Sequence, residues 1–406
     1  MHRSRPIVVL ALLVFAALHC FAAGNGMDPE RLARIPLRMQ EFVDQGKTAG
    51  VVTLLMRHGQ PALLSATGWQ DREAKVPMTA GTIFAIHSMT KPVTSVGVMI
   101  LVEEGKLALI DPVERFLPEF KGQKVAVNCT PAATGPTCTY AAPSRPINIR
   151  DLLTHTSGYQ GGGPALQDER GRSGRTLAEV VAIEARQALL FQPGTKWQYS
   201  NAGMAALGRI IEVVSGEPYE RFIEARILRP LSMQDSSFFV PEEKRSRIAA
   251  VYTDNHGVLE RAELKPDDRR TKYPAPEGGL FSTATDMARF YQMMLNGGEL
   301  DRHRILSPEA VRAMTQVYTG DLPAGFAPGV GWGLGWGIVR NVEGTFRLNS
   351  IGTYGHGGAW RTYGWVDPAK DMVGVILMQR TNNGGDIADE INAFMQMAAA
   401  AIVPPL

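Results

Sequence analysis

Strand-forming runs stand at both ends of this chain and helical patterns fill its middle, which restricts the fold more than any other feature of the sequence. Residues 51–57 and 62–67 are β-rich and are separated by His58-Gly59-Gln60-Pro61, the pattern of a hairpin. Residues 356–366 and 372–378 flank Asp367-Pro368-Ala369-Lys370 in the same way. Apolar spacing predicts helices over 29–45, over 88–104 with Gly105 as the stop, and over 387–402. Pro92 is tolerable in the second of these because it falls in the first turn, where its missing N–H has no intrahelical partner. From about 150 to 231 the pattern is mostly helical, broken at 158–163, 193–194 and 216. The expected architecture is therefore α+β, with a sheet lobe built from 25–87 and 270–406 and a mostly helical lobe inserted over 88–269. At 406 residues, two lobes are expected over one core, and the cleft between them is the natural place for a site.

The first 24 residues read separately. Arg3 and Arg5 precede an apolar run over 7–18, followed by Cys20, Phe21, Ala22 and Ala23, the pattern of a secretory signal peptide processed after Ala22 or Gly24. A lipoprotein anchor on Cys20 is the competing reading, disfavoured by His19 where a small residue is expected. No later segment is long and apolar enough to span a bilayer, so a periplasmic or secreted protein is expected. In that oxidising setting Cys129 and Cys138, in a loop with Pro131, Gly135 and Pro136, are expected to form a disulfide; two free thiols or a metal pair are the alternatives. With 20% charged residues and a net charge of +2, charge alone implies no partner class. The basic cluster Arg269, Arg270 and Lys272 follows Asp267 and Asp268 and reads as a solvated loop, which argues against nucleic-acid binding.

Three short segments carry candidate chemistry. Ser88-Met89-Thr90-Lys91 puts a serine and a lysine on one helical face, with the Ser88 N–H free at the helix start to meet an oxyanion. Tyr199-Ser200-Asn201 supplies a phenol that an adjacent ammonium would help ionise, and an amide able to orient Lys91 or substrate. His356-Gly357-Gly358-Ala359 opens the late strand, where glycines admit a substrate backbone and the Ala359 N–H can serve as a second oxyanion donor. Each has an ordinary structural reading when taken alone: a capping serine beside a solvated lysine, a polar turn, a strand bulge. No Gly-x-Ser-x-Gly elbow, helical histidine pair or phosphate-binding glycine loop occurs, so no α/β-hydrolase triad, metal or nucleotide cofactor is implied.

Taken together and in this order, the segments resemble the three boxes of the beta-lactamase-related serine hydrolases: class C beta-lactamases, D-alanyl-D-alanine carboxypeptidases, D-aminopeptidases and family VIII carboxylesterases. Residues 149–158, Ile-Arg-Asp-Leu-Leu-Thr-His-Thr-Ser-Gly, and Gly278-Gly279-Leu280-Phe281-Ser282-Thr283 extend the resemblance, as does 355–379. The resemblance implies a class C beta-lactamase-like fold, an antiparallel sheet flanked by helices with an inserted helical lobe. It makes Ser88 the acylated nucleophile, Lys91 and Tyr199 the general-base pair, and the amides of Ser88 and Ala359 the oxyanion hole. Asn201, His356, Gly357 and Gly358 become substrate-positioning residues. His155 and Ser157 read as part of a fold-setting turn outside the site. The third box departs from the family, because beta-lactamases usually carry Lys-Thr-Gly there and this chain has His356-Gly357-Gly358. The expectation is a hydrolase of small esters or related amides. A cell-wall D-amino-acid peptidase or beta-lactamase, with a beta-lactam as a further substrate class, and a non-catalytic penicillin-binding sensor remain the alternatives.

Overall fold

The computed structural model describes residues 25–130, 137–161, 174–262, 271–342, 348–381 and 389–403. The proposed signal peptide, the acidic and basic stretch over 267–270, and the first residues of the final predicted helix lie outside them.

Two ends of the chain meet in one antiparallel sheet. Strand β1 (Gly50–Arg57) pairs on one side with β2 (Gln60–Asp71), which carries the short β3 (Val76–Pro77). On its other side β1 pairs with the last strand, β16 (Met372–Leu377), with Thr53 opposite Ile376. The sheet continues through β15 (Thr362–Asp367), β14 (Tyr354–Gly358), β13 (Gly337–Val339) and β12 (Val330–Trp332), eight strands in all among the described residues. Four small two-stranded pairs lie outside it among the described residues: β4 (Phe84–Ala85) with β9 (Phe281–Ser282), β5 (Val125–Thr130) with β6 (Thr137–Ala141), β7 (Tyr252–Asn255) with β8 (Val258–Arg261), and β10 (Glu299–Leu300) with β11 (His303–Arg304).

Because side chains alternate across a strand, β1 and β16 each feed two apolar layers. Val51, Leu55, Met372 and Ile376 pack against the opening helix Pro29–Asp44 through Leu32, Ile35, Met39 and Phe42, and against the closing helix Asp389–Ala400 through Ile391 and Phe394. Val52, Leu54, Val373 and Val375 face the other way, toward Met287, Phe290 and Met294 of helix Ala284–Leu295. Burial on both faces explains why these strands read as continuous apolar runs.

Beyond that layer lies helix Thr90–Glu103, in which every residue from Thr90 to Leu101 is buried. It is buried on every side, with Thr90, Lys91, Thr94 and Ser95 among its apolar residues. It packs against helices Asn201–Ser215 and Tyr219–Ile223, with Ile211, Phe222 and Ile223 in the same apolar cluster. Cys129 and Cys138 are joined in a disulfide across the β5–β6 hairpin.

Three expectations from sequence are adjusted. The predicted helix over 88–104 begins as a 3-10 turn, His87–Met89, and becomes α-helical at Thr90, so Pro92 still falls in the first α-helical turn. Residues 356–366 are two strands: Ala359, Trp360 and Arg361 turn the chain, with Arg361 at φ 61°, so His356-Gly357-Gly358 ends β14 and does not open a strand. The segment around the cysteines, read as a loop, carries two antiparallel strands, Val125–Thr130 and Thr137–Ala141, and the Pro- and Gly-containing stretch between them lies outside the described residues.

Candidate active site

Ser88 sits in the 3-10 turn that leads into the buried helix, and its surroundings hold that turn on several sides. The Ile86 N–H donates to Leu280 O at 3.1 Å, and the Ile86 carbonyl accepts from the Thr362 hydroxyl at 3.1 Å. One residue earlier, the Gln379 side chain pairs with both backbone groups of Ala85, at 3.2 and 3.1 Å. His87 adopts φ 46°, a left-handed conformation that costs a residue with a Cβ about 1–2 kcal/mol. Its ring meets Trp360 edge-on, with centroids 4.0 Å apart.

Lys91 Nζ lies 2.9 Å from Ser88 Oγ and donates to the Glu277 carbonyl oxygen at 2.7 Å. The lysine is fully buried. Burial disfavours the ammonium and pulls its pKa down to about 7, with the Glu277 charge opposing the shift. Glu277 is itself buried and accepts twice from the Tyr273 hydroxyl, at 3.0 and 2.9 Å.

Tyr199 contacts both Ser88 and Lys91. Its ring faces Lys91 Nζ, 4.6 Å from the centroid, and its hydroxyl is hydrogen-bonded with Ser88. Burial drives the phenol well above its usual range, which outweighs the hydrogen bond to Ser88. Burial thus favours an uncharged amine beside a protonated phenol, in place of the phenolate that charge proximity alone suggests.

Local sequence explains how Tyr199 is presented. Ser200 caps helix Asn201–Ser215, its hydroxyl accepting from Gly203 N at 2.9 Å and donating to the Tyr159 carbonyl. The Ser200 N–H donates to His155 Nδ1 at 3.2 Å, the Gln198 N–H to His155 O at 2.9 Å, and the Gln160 side chain to Tyr199 O at 3.2 Å. The stretch from His155 to Gln160, read from sequence as a fold-setting turn, is therefore the cradle of Tyr199. The His155 ring also touches the Tyr199 ring, with centroids 4.7 Å apart.

The third box reaches the same place from the sheet. His356 is buried, with its ring centroid 6.0 Å from that of Tyr199. Nδ1–H donates to the Gly357 carbonyl at 2.7 Å, which leaves Nε2 as a buried acceptor with no partner among the described residues. Burial and the Lys91 charge hold the ring's pKa down to about 3, so it is neutral at physiological pH. A Cβ on Gly358 would lie 2.1 Å from Thr362 Oγ1 and 2.3 Å from Ile86 O; only glycine lets β14 lie this close to the turn that holds Ser88. Ala359 is exposed just beyond the strand end. Asn201, the first residue of its helix, has an exposed side chain with no hydrogen bond among the described residues, so it does not orient Lys91 as one sequence expectation had it.

Sequence reading did not single out the aromatic groups around Tyr199. Trp197, Phe326 and Trp332 surround it, with Phe326 and Trp332 centroids 5.3 and 6.2 Å from its own. Trp197 had a legible signal, since positions two apart on extended chain share a side. Among the described residues no cluster of His, Cys, Asp or Glu could hold a metal ion.

A family model described as Beta-lactamase matches residues 37–395. The chain belongs to the beta-lactamase family. Within it, the chain is 36% identical over 362 residues to protein Rv1367c of Mycobacterium tuberculosis, covering 84% of this chain and 88% of that one. It is 29% identical to esterase EstB of Burkholderia gladioli, covering 86% and 90%, and 27% identical to a putative D-alanyl-D-alanine carboxypeptidase of Escherichia coli, covering 88% and 84%. Among solved structures, EstCE1, a hydrolase with promiscuous acyltransferase activity, superposes with a TM-score of 0.75 at 25% identity, covering 96% of this chain and 99% of that one. The family fold and its hydrolase character thus extend to this chain.

Proposed function

We propose that the protein is an exported serine hydrolase that forms an acyl-enzyme on Ser88 and hydrolyses small esters or related amides. The observation that carries this reading is the buried Lys91 amine 2.9 Å from Ser88 Oγ, with its pKa pulled down to about 7. An uncharged amine that donates to Glu277 O keeps its lone pair for the Ser88 proton. As Ser88 Oγ bonds to the carbonyl carbon, its proton passes to Lys91 and charge builds on the former carbonyl oxygen. The N–H groups of Ser88 and Ala359 are the donors assigned to that oxygen. When the intermediate collapses, the bond to the leaving oxygen breaks and the proton travels through the Tyr199 hydroxyl to it. Water then repeats the sequence in reverse on the acyl-enzyme, and Ser88 is released. His356, Gly357, Gly358 and Asn201 position substrate beside this centre.

The neutral His356 supports ester over peptide or beta-lactam substrates, because the third box then offers no cation for a substrate carboxylate. The Cys129–Cys138 disulfide supports an oxidising, extracytoplasmic location, as does the pattern of the first 24 residues. Among the described residues no helix is long and apolar enough to cross a membrane. Rates on p-nitrophenyl butyrate, a D-alanine amide and nitrocefin, measured side by side, test the assignment. The ester should be turned over fastest; faster turnover of the amide or nitrocefin would move the protein to the cell-wall peptidases or beta-lactamases. A stoichiometric burst without turnover on all three would make it a penicillin-binding sensor.

A further inference from the structure

We infer that Phe326 and Trp197 form the leaving-group face of the site and select esters whose departing alcohol carries a flat aromatic group. The inference rests on the Ser88 acyl-enzyme reading. In that reaction the alkoxide accepts its proton from the Tyr199 hydroxyl, so the leaving oxygen sits within hydrogen-bond reach of it. Whatever is attached to that oxygen then lies against the groups bordering the Tyr199 ring. On the interior side these are His155, His356 and Trp332, all buried, with His155 and Trp332 already packed together at 5.2 Å between centroids. On the open side they are Trp197 and Phe326, whose centroids are 5.8 Å apart in an edge-to-face arrangement at 84°. Phe326 stands edge-on to Tyr199 at 5.3 Å and is 71% exposed.

So exposed a phenylalanine on the rim of a reactive centre has apolar surface left for a ligand. Its position is braced. Gly325 turns the chain at φ 73°, so close to Val330 that a Cβ would fall 2.6 Å from Val330 Cγ1. Two residues earlier in the chain Ala324 is buried, and one residue later Ala327 O accepts from the Val330 N–H at 3.0 Å. Within β12, the Trp332 N–H donates to the buried Thr319 hydroxyl at 3.0 Å, which ties the segment before the loop to the strand after it. Three rings spaced 5.3 to 6.4 Å apart leave edges and faces suited to a fourth, planar ring, and such contacts favour an aromatic partner over an aliphatic one of similar size.

The test uses the full chain and three acetates, 1-naphthyl, phenyl and 2,2,2-trifluoroethyl, which share one acetyl-enzyme and differ only in the alcohol. Comparing each variant with the wild type cancels differences in leaving ability. Phe326→Ala should lower the naphthyl-to-trifluoroethyl ratio of kcat/KM by about tenfold, the scale of losing one apolar contact in a binding pocket. Phe326→Trp should retain most of the ratio. A ratio unchanged in Phe326→Ala overturns the inference. So does a loss that follows acyl length, read from p-nitrophenyl acetate against butyrate, because it would make the wall an acyl pocket. Labelling of Ser88 by a fluorophosphonate separates the two layers of the argument: label with an unchanged ratio removes the wall alone, whereas no label removes the acyl-enzyme reading and the wall with it.

Discussion

Titration of Lys91 should set the acid limb of the reaction. An exposed lysine at its ordinary value of 10.5 is uncharged in only about one molecule in three thousand at pH 7, whereas at about 7 roughly half the molecules carry the free amine. Burial at the foot of the helix thus raises the population of competent base on the order of a thousandfold. The rate constant for acylation, measured by stopped flow or as kcat/KM across pH 5 to 9, should fall about tenfold per unit below the midpoint near pH 7 and level off above it. Lys91→Arg keeps a cation that cannot deprotonate and should lose about a hundredfold or more with no recovery at high pH. The same shift affects stability. Between pH 7 and 10.5 the unfolded chain binds a proton at this lysine that the folded chain lacks, so this group's contribution makes the protein more stable as pH rises through that window. A flat acylation profile, or a midpoint near 10, would refute the reasoning that burial prepares the base.

Lys91→Ala and Tyr199→Phe should each slow acylation about a hundredfold or more, and the double variant should be little worse than either; additive losses in stopped-flow traces would mean the residues do separate jobs. Gly358→Ala should lower acylation by at least about tenfold, because its methyl group cannot sit 2.3 Å from Ile86 O without moving β14 or the Ser88 turn; unchanged rates would show that the approach is not needed. Cys129→Ser with Cys138→Ser should leave ester turnover within about twofold, since the disulfide lies in the β5–β6 hairpin, and should lower unfolding free energy by up to about 2–3 kcal/mol in denaturant titration. Activity lost in parallel with stability would connect that hairpin to the site.

Much of this arrangement is written in local pattern. The opening helix and the β1–β2 hairpin are legible because their apolar periods and turn residues agree, and Pro29–Asp44 and Gly50–Arg57 lie close to the expected bounds, whereas the second strand, expected over 62–67, runs Gln60–Asp71 and takes in Gln60 and Pro61 of the expected turn. Ser88 and Lys91 are legible because three residues on a helix bring side chains together. The turn at Ala359–Trp360–Arg361 is hidden because it carries neither proline nor glycine and places an arginine in a left-handed conformation. Strands β12 and β13 are three residues each, too short for a period to register, and they hold the segment that carries Trp332. The wall around Tyr199 draws on Trp197, Phe326 and Trp332, which only the folded chain brings together. The protonation states of Lys91 and Tyr199 are likewise beyond reach from sequence. Charge proximity points to a phenolate, and it is burial, known only from packing, that favours the neutral amine.

Covalent labelling of Ser88 tests the central claim most directly. A fluorophosphonate, followed by intact-mass measurement and peptide mapping, should add one phosphonyl group per molecule on the peptide containing Ser88. The Ser88→Ala variant should fold with an unchanged circular dichroism spectrum, take up no label and turn over no ester. Label on a peptide lacking Ser88, or ester turnover retained by a folded Ser88→Ala protein, would contradict the account.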